Sequence, residues 1–363
     1  MPPFTPPAPG TTGLDVLVIG AGLALAWHLA RTDLRFLVFD AAPEIGHAWR
    51  NRWDSLRLFT PSQHDGLPGM AFPASPDIYP GKDQVADYLA DYAHTFNLPV
   101  LLNTPVTRLA ADDDGFTAHT QQGLLRSRQV VVATGAFQTP VVPDTAGRFD
   151  PSLPQVHSAQ YRNPSHLPAG TVLVVGAANS GLQIAEELAT THQVVVAAGT
   201  TPPYLPQRLL GRDVFWWLTR LGLMNKTAHS PLSRRVRSRG DVVIGSSRRR
   251  LRRAGVRFHP RLVSATGPTA QFDDGSSIHV DAVVWATGFR SDYSWIDIAG
   301  ARCDGTVAHT RGVSPVAGLY FLGLPWQHTR GSSLLGFVQH DAAWLTDHIT
   351  AHLPHSAATT SRR

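Results

Sequence analysis

Two glycine-rich turns carry the clearest chemical signal in this sequence. In Val18-Ile19-Gly20-Ala21-Gly22 an apolar run ends on two closely spaced glycines, and in Gly176-Ala177-Ala178-Asn179-Ser180-Gly181 a second run ends on a turn with glycines first and last. A nucleotide diphosphate calls for this composition, because the chain must reverse tightly and bring bare N–H groups at a helix N-terminus against the anion. Asp40 closes the strand after the first turn, where a carboxylate accepts hydrogen bonds from ribose hydroxyls. The second unit lacks that acid: its strand runs Val194 to Gly199, with Thr200 and Thr201 beyond. Losing the carboxylate removes the preference for a free 2′-hydroxyl, and Arg208 or Arg212 in the next loop could meet a 2′-phosphate. NADH and NADPH both stay open, with NADPH expected to be accepted at least as well. Ala178 stands at the middle glycine's place, where a methyl is small enough to be accommodated, and Ser180 is a candidate helix cap.

Other chemistries find little support. The lone Cys303 excludes an internal disulfide, a Cys-x-x-Cys redox pair and a thiolate zinc site. The 17 histidines include no cluster at metal spacing, so no metal is expected. No Gly-x-Ser-x-Gly nucleophile elbow is present. His157 is a candidate base, with a structural or nicotinamide-side role favoured. The net charge of +5 is almost all arginine, concentrated between Arg234 and Arg261. No aromatics are interleaved with these charges in the manner of an RNA-binding module, so a solvated helical face is expected and no specific nucleic-acid partner. No apolar run approaches a membrane span. The aromatic run around Trp216 reads as a buried or substrate-covering helix rather than a membrane contact. A cytoplasmic protein is the default expectation.

The elements that must position these residues repeat. Each glycine-rich turn lies between a β-branched strand and a helix-period stretch, followed by another apolar strand. Continuous apolar strands leading into helices predict parallel sheets covered on both faces. Two later strands end alike, at Ala133-Thr134-Gly135 and Ala286-Thr287-Gly288, each after a hairpin with an Asp-Gly turn. The expected fold is therefore α/β, with two Rossmann-like dinucleotide-binding domains (three-layer, parallel sheets), one inserted in the other. The outer domain is expected over 14–167 and 286–350, and the inner domain over 168–285. A disordered Pro-rich tail is expected over 1–13 and a frayed one over 351–363.

Several segments resemble the flavin-containing monooxygenases, in particular their compact bacterial members, over about Asp15 to Ile349. Glu44 to Leu58 (EIGHAWRNRWDSLRL) resembles the family's flavin-lining segment, and Tyr79 to Ala93 its following helix. His157 to Pro164 (HSAQYRNP) is similar to the second half of its identifying motif, whose Phe and Gly are replaced by Pro151 and Leu153. The Ala286 ATGF and the C-terminal GLYFLGLPWQ…GFVQHDAAWL also fit. The resemblance implies FAD on Gly20, Gly22, Asp40, Gly46, Trp49, Leu56, Thr134, Gly135, Gly323 and Gln327. It implies NADPH or NADH on Gly176, Ala178, Asn179, Ser180, Gly181, Thr200, Arg208, Thr287 and Gly288. The activity implied is NAD(P)H-dependent insertion of one oxygen atom from O₂ into a small organic substrate, a soft N or S nucleophile or a ketone, through a flavin C4a-(hydro)peroxide. Family members with an Asn near the flavin carry it in a segment where this chain has Phe59 and Thr60, which makes peroxide-releasing oxidase or flavin reductase activity the alternative. The implied partners are that substrate and oxygen, with room for a homodimer.

The first turn departs from the family's Gly-x-Gly-x-Ala-Gly-Leu-Ala by three residues, with Leu25 standing at the third glycine's place. Three residues are about 4.5 Å of helix. The expectation is weakened, substoichiometric FAD, and at the extreme a nucleotide-binding homologue without flavin.

Overall fold

The long strand Gly123–Val132 shows how the first sheet is built. Its first half alternates exposed and buried residues from Leu124 and pairs antiparallel with Gly115–Thr120, while its second half is buried from Gln129 on and pairs parallel with Leu14–Ile19 and Leu319–Phe321. Alternation suits a sheet with one wet face, and a continuous apolar run suits a sheet covered on both. The first sheet runs, in spatial order, Ile296–Asp297, Val106–Asp112, Gly115–Thr120, Gly123–Val132, Leu14–Ile19, Phe36–Phe39 and Val100–Leu101, with Leu319–Phe321 also beside Gly123–Val132. The helices Leu23–Leu29, Lys82–Thr95 and Gln339–Ala351 cover one face, and Leu25, Leu29, Tyr88, Tyr92 and Leu345 fill the core beneath them. The computed structural model describes residues 13–238 and 242–352; the expected Pro-rich tail before Gly13, the tail beyond His352 and residues 239–241 of the arginine-rich stretch lie outside them.

The second sheet is wholly parallel, in the order Arg257–His259, Gln193–Ala197, Thr171–Val175, Ala282–Trp285 and Gln155–His157. The helix Asn179–Leu188 packs on it, and both expected hairpins form, at 106–120 and 269–279. The strand Gln155–His157 joins this sheet although it precedes residue 168, where the inner domain was expected to begin. It does so because the chain crosses early. Thr139–Pro140 on the way out pairs with Phe289–Arg290 on the way back, so the two connections form one antiparallel ribbon.

Candidate functional site

The two glycine-rich turns sit at corresponding places in the two sheets, and their glycines are dictated by contact. Gly20 and Gly176 have φ of +96° and +115°; a Cβ at either would lie 2.5 Å from the Ala133 carbonyl oxygen or 2.3 Å from that of Ala286. Each first glycine therefore passes against the Ala-Thr-Gly end of the neighbouring strand, where no side chain fits. At the last glycine of the second turn, Gly181, a Cβ would lie 2.1 Å from the Gly176 carbonyl oxygen and 3.2 Å from the Ala286 Cβ. At Gly22 it would lie 2.8 Å from Val18 Cγ1 and 3.1 Å from the Ala133 Cβ.

Gly22 thus occupies the helix–strand crossing that Gly181 occupies in the second unit. This corrects the expectation that the third glycine is replaced by Leu25. Leu25 is fully buried in the core beneath the first helix with Val16, Val18 and Val38. The residues lost lie between the glycines: four separate Gly176 from Gly181, and Ala21 alone separates Gly20 from Gly22. In the second unit the helix starts at Asn179, two residues before the crossing glycine; in the first it starts at Leu23, one residue after it. Relative to the crossing glycine the first helix starts three residues later, so its free N–H groups lie beyond that glycine and not in the turn ahead of it.

The second turn fits a nucleotide diphosphate. Its helix is capped by Ala178 in extended backbone with no side-chain hydrogen bond, so the N-terminus is open. Ser180 lies inside the helix rather than at its cap, a correction to the sequence reading. Asn179 faces sideways, donating to the Val242 carbonyl and accepting from the Ile244 N–H, which ties the strand Val243–Ile244 to the turn. Thr200 is exposed beyond the strand end. The arginines at this loop are not those expected. Arg208 donates to the Gly211 carbonyl and pairs with Asp77 at 3.8 Å, and Arg212 lies over Trp216. Instead Arg248 donates to Thr201 Oγ1 at 3.2 Å and stacks on Phe258, while Arg261 Nε lies 3.2 Å from where a Gly199 Cβ would be. They get there because Arg257–His259 is hydrogen-bonded alongside Gln193–Ala197, Val195 pairing with Arg257 across 62 positions of sequence.

The remaining expected residues divide. Asp40 is half-buried at its strand end; burial pushes its carboxyl up, and the Ala42 N–H donated to Oδ1 opposes this. Gly46 is required by packing, since a Cβ there would lie 2.7 Å from the Ala86 Cα. Trp49 packs against the cores of both sheets, and Leu56 lies in the second core. Thr134 Oγ1 and the Gly135 carbonyl accept from Gln138 Nε2, and Gly323 has open space around it. Gln327 is 4% exposed; its Oε1 accepts from the Leu324 N–H, and its Nε2 has no hydrogen-bond partner. Thr287 Oγ1 donates to the Val141 carbonyl, and Gly288 takes a bond from Val141. His157 is 2% exposed, with Nδ1 accepting from the Ala159 N–H and Nε2 bonded to the Gly288 carbonyl at 3.0 Å. Burial lowers its pKa. With both ring nitrogens engaged it fastens the connecting ribbon, and no free base is left.

One cluster escaped the sequence reading. Asp65 is 1% exposed; its Oδ1 accepts from Thr60 Oγ1 at 2.5 Å and its Oδ2 has no partner. Burial pushes its carboxyl up to about 7, against the Thr60 bond and with the Asp213 charge. His64 beside it is lowered by burial. It lines a cavity of about 390 Å³ together with Gln63, Met70, Thr219, Phe337 and His340. A buried carboxyl leaves no periodic trace in a loop sequence, so nothing at that level marks it. Among the described residues no group of His, Cys, Asp or Glu could hold a metal, and no helix is long and apolar enough to cross a membrane.

Comparison with known proteins gives the chain's family. A family model described as pyridine nucleotide-disulphide oxidoreductase matches residues 17–205. A CzcO-like oxidoreductase of Geobacillus kaustophilus is 45% identical over 93% of this chain and 99% of its own length. A probable indole-3-pyruvate monooxygenase of Arabidopsis thaliana is 29% identical over 96% of this chain and 91% of its own. Among solved structures, a flavin-containing monooxygenase from Stenotrophomonas maltophilia superposes with a TM-score of 0.76 at 27% identity, covering 94% of this chain and 99% of that one.

Proposed function

Because the chain belongs to the pyridine nucleotide-disulphide oxidoreductase family, among its flavin monooxygenase-like members, we propose that it uses FAD and NADPH to oxygenate a small organic substrate with O₂. The observation that carries this reading is the pair of glycine-rich turns, each closed against an Ala-Thr-Gly strand end, with an open helix N-terminus at the second. The lone exposed Cys303 cannot serve the dithiol chemistry in the family's name. Flavin, when bound, supplies the electron and oxygen chemistry that no side chain here can perform.

The second turn binds the nicotinamide nucleotide. Gly176 and Gly181 let backbone approach, and the helix starting at Asn179 offers N–H groups and its dipole to the diphosphate. Arg248 and Arg261 flank the loop from Gly199 to Thr201 and receive the 2′-phosphate. His157 holds the ribbon between the sheets, fixing how the two turns face each other. The substrate is proposed to be a soft N or S nucleophile or a ketone.

Oxygen uptake by the full chain with added FAD, read with NADPH or NADH and with and without catalase, tests this. The expected outcome is coenzyme-dependent uptake with NADPH at least equal to NADH. The double variant Arg248→Ala/Arg261→Ala is expected to lose about tenfold in NADPH affinity, about 1.4 kcal/mol, while NADH is unaffected. No uptake at saturating flavin, or a tenfold preference for NADH, overturns the reading. Quantitative peroxide release would identify an oxidase instead.

A further inference from the structure

The three residues missing from the first turn have a specific consequence for flavin recognition. We propose that this site holds flavin without a diphosphate grip, so that flavin exchanges freely and FAD is preferred little over FMN or riboflavin. The proposal rests on the functional reading above and concerns only the first turn.

The crossing glycine is kept and the anion-facing turn is not. With Gly22 against Val18 and Ala133, the first helix cannot start earlier, because the chain between Gly20 and Gly22 is a single residue. Nor can the helix unwind to rebuild a cradle. Its opening residues Leu23, Ala24 and Leu25 are buried in the core, so drawing them back to shape a new turn would expose apolar surface. The second turn is the internal reference: neither helix has a side-chain cap, but in the second the crossing glycine is preceded by two helical residues and in the first by none. Residues that the family resemblance assigns to the flavin elsewhere are undisturbed, among them Gln327 with its buried, unpartnered Nε2. What is lost is therefore selective. Contacts along the isoalloxazine side survive, and of those that distinguish a dinucleotide from its shorter relatives only the ribose contact of Asp40 remains, worth about tenfold. Two charge-assisted hydrogen bonds of the usual strength correspond to about a hundredfold to ten-thousandfold in affinity.

Flavin-free full-length protein titrated with FAD, FMN and riboflavin, followed by flavin fluorescence, tests this without reference to turnover. The expected result is three dissociation constants within about tenfold of one another, and a protein that loses its yellow colour on desalting. Inserting Gly-Ser-Ala between Ala21 and Gly22 is expected to tighten FAD at least about a hundredfold and leave riboflavin unchanged. Stoichiometric FAD retained through desalting, or a preference for FAD over riboflavin beyond about tenfold in the unmodified chain, overturns the proposal; this measurement decides even if the insertion does not fold. NADPH titrated into the same protein separates the two readings. Binding of NADPH with loose flavin supports both, whereas absence of both ligands overturns the dinucleotide reading and this proposal with it.

Discussion

Asp65 is a carboxylic acid that keeps its proton because of where it is buried. One oxygen accepts from Thr60, the other has no partner, and the Asp213 carboxylate lies near enough to disfavour a second negative charge. Folded, it releases its proton at about pH 7; unfolded, it does so near pH 4. The native chain therefore binds more protons between those values, and stability falls as pH rises through that window. Asp65→Asn keeps an acceptor for Thr60 and removes the ionisation. Urea denaturation at pH 5, 6, 7 and 8 is expected to show the unmodified chain weakening toward pH 8 and the variant holding level, with a gain at pH 8 of up to about 4 kcal/mol. Parallel pH profiles for the two proteins would contradict the burial argument.

At the scale of elements, two helices depart from what their sequence suggests by itself. The first helix is short because its crossing glycine comes early, and it keeps its place by burying five of its seven residues. The helix Arg248–Arg253 carries five arginines around one buried residue, Leu251. These charges are not a free basic patch. Arg248 and Arg252 stack on Phe258, and Arg250 pairs with Glu186 on the helix of the second turn. Part of the charge is thus spent on packing and on the nucleotide loop. Binding of mixed-sequence DNA and RNA, measured by fluorescence anisotropy, is expected to be weak, independent of sequence and lost by physiological salt. Sequence-selective binding that survives that salt would restore the arginine stretch as a nucleic-acid surface.

Across the whole molecule, the two sheets are joined by more than the paired connections. Tyr79 in the first unit donates to Asp213 Oδ2 at 2.5 Å, and Asp213 also caps the helix Val214–Arg220 by accepting from the Phe215 N–H. Gln207 donates to the Phe59 carbonyl, Phe59 stacks on Phe215, and Ala228 donates to the His328 carbonyl. The segment from 205 to 228 is in this way strapped to the loops of the first unit, where the cavity beside His64 and Phe337 lies. Tyr79→Phe removes one bond to a buried carboxylate and is expected to cost about 1–3 kcal/mol. Limited proteolysis should then cut first within 205–228, with the sheets still protected. Unchanged stability and an unchanged cleavage pattern would mean that the Tyr79–Asp213 bond does not hold the junction.

How much of this was legible in the sequence follows from the range of the forces involved. The two strand–turn–helix units, the Asp-Gly hairpins and the paired Ala-Thr-Gly ends could all be read, because hydrophobic period and turn stereochemistry are set by neighbours in the chain. The family resemblance followed from the same local segments. Which glycine serves the crossing could not be read, because Gly22 aligns equally well with the second or the third glycine until Val18 and Ala133 are seen against it. Nor could the nucleotide-loop arginines, since Arg248 and Arg261 reach Thr201 and Gly199 only through the pairing of Arg257–His259 with Gln193–Ala197. The bonds of His157 and the burial of Asp65 belong to the same class: each depends on groups brought together by the closed fold, where desolvation, not sequence spacing, determines what a polar side chain can do.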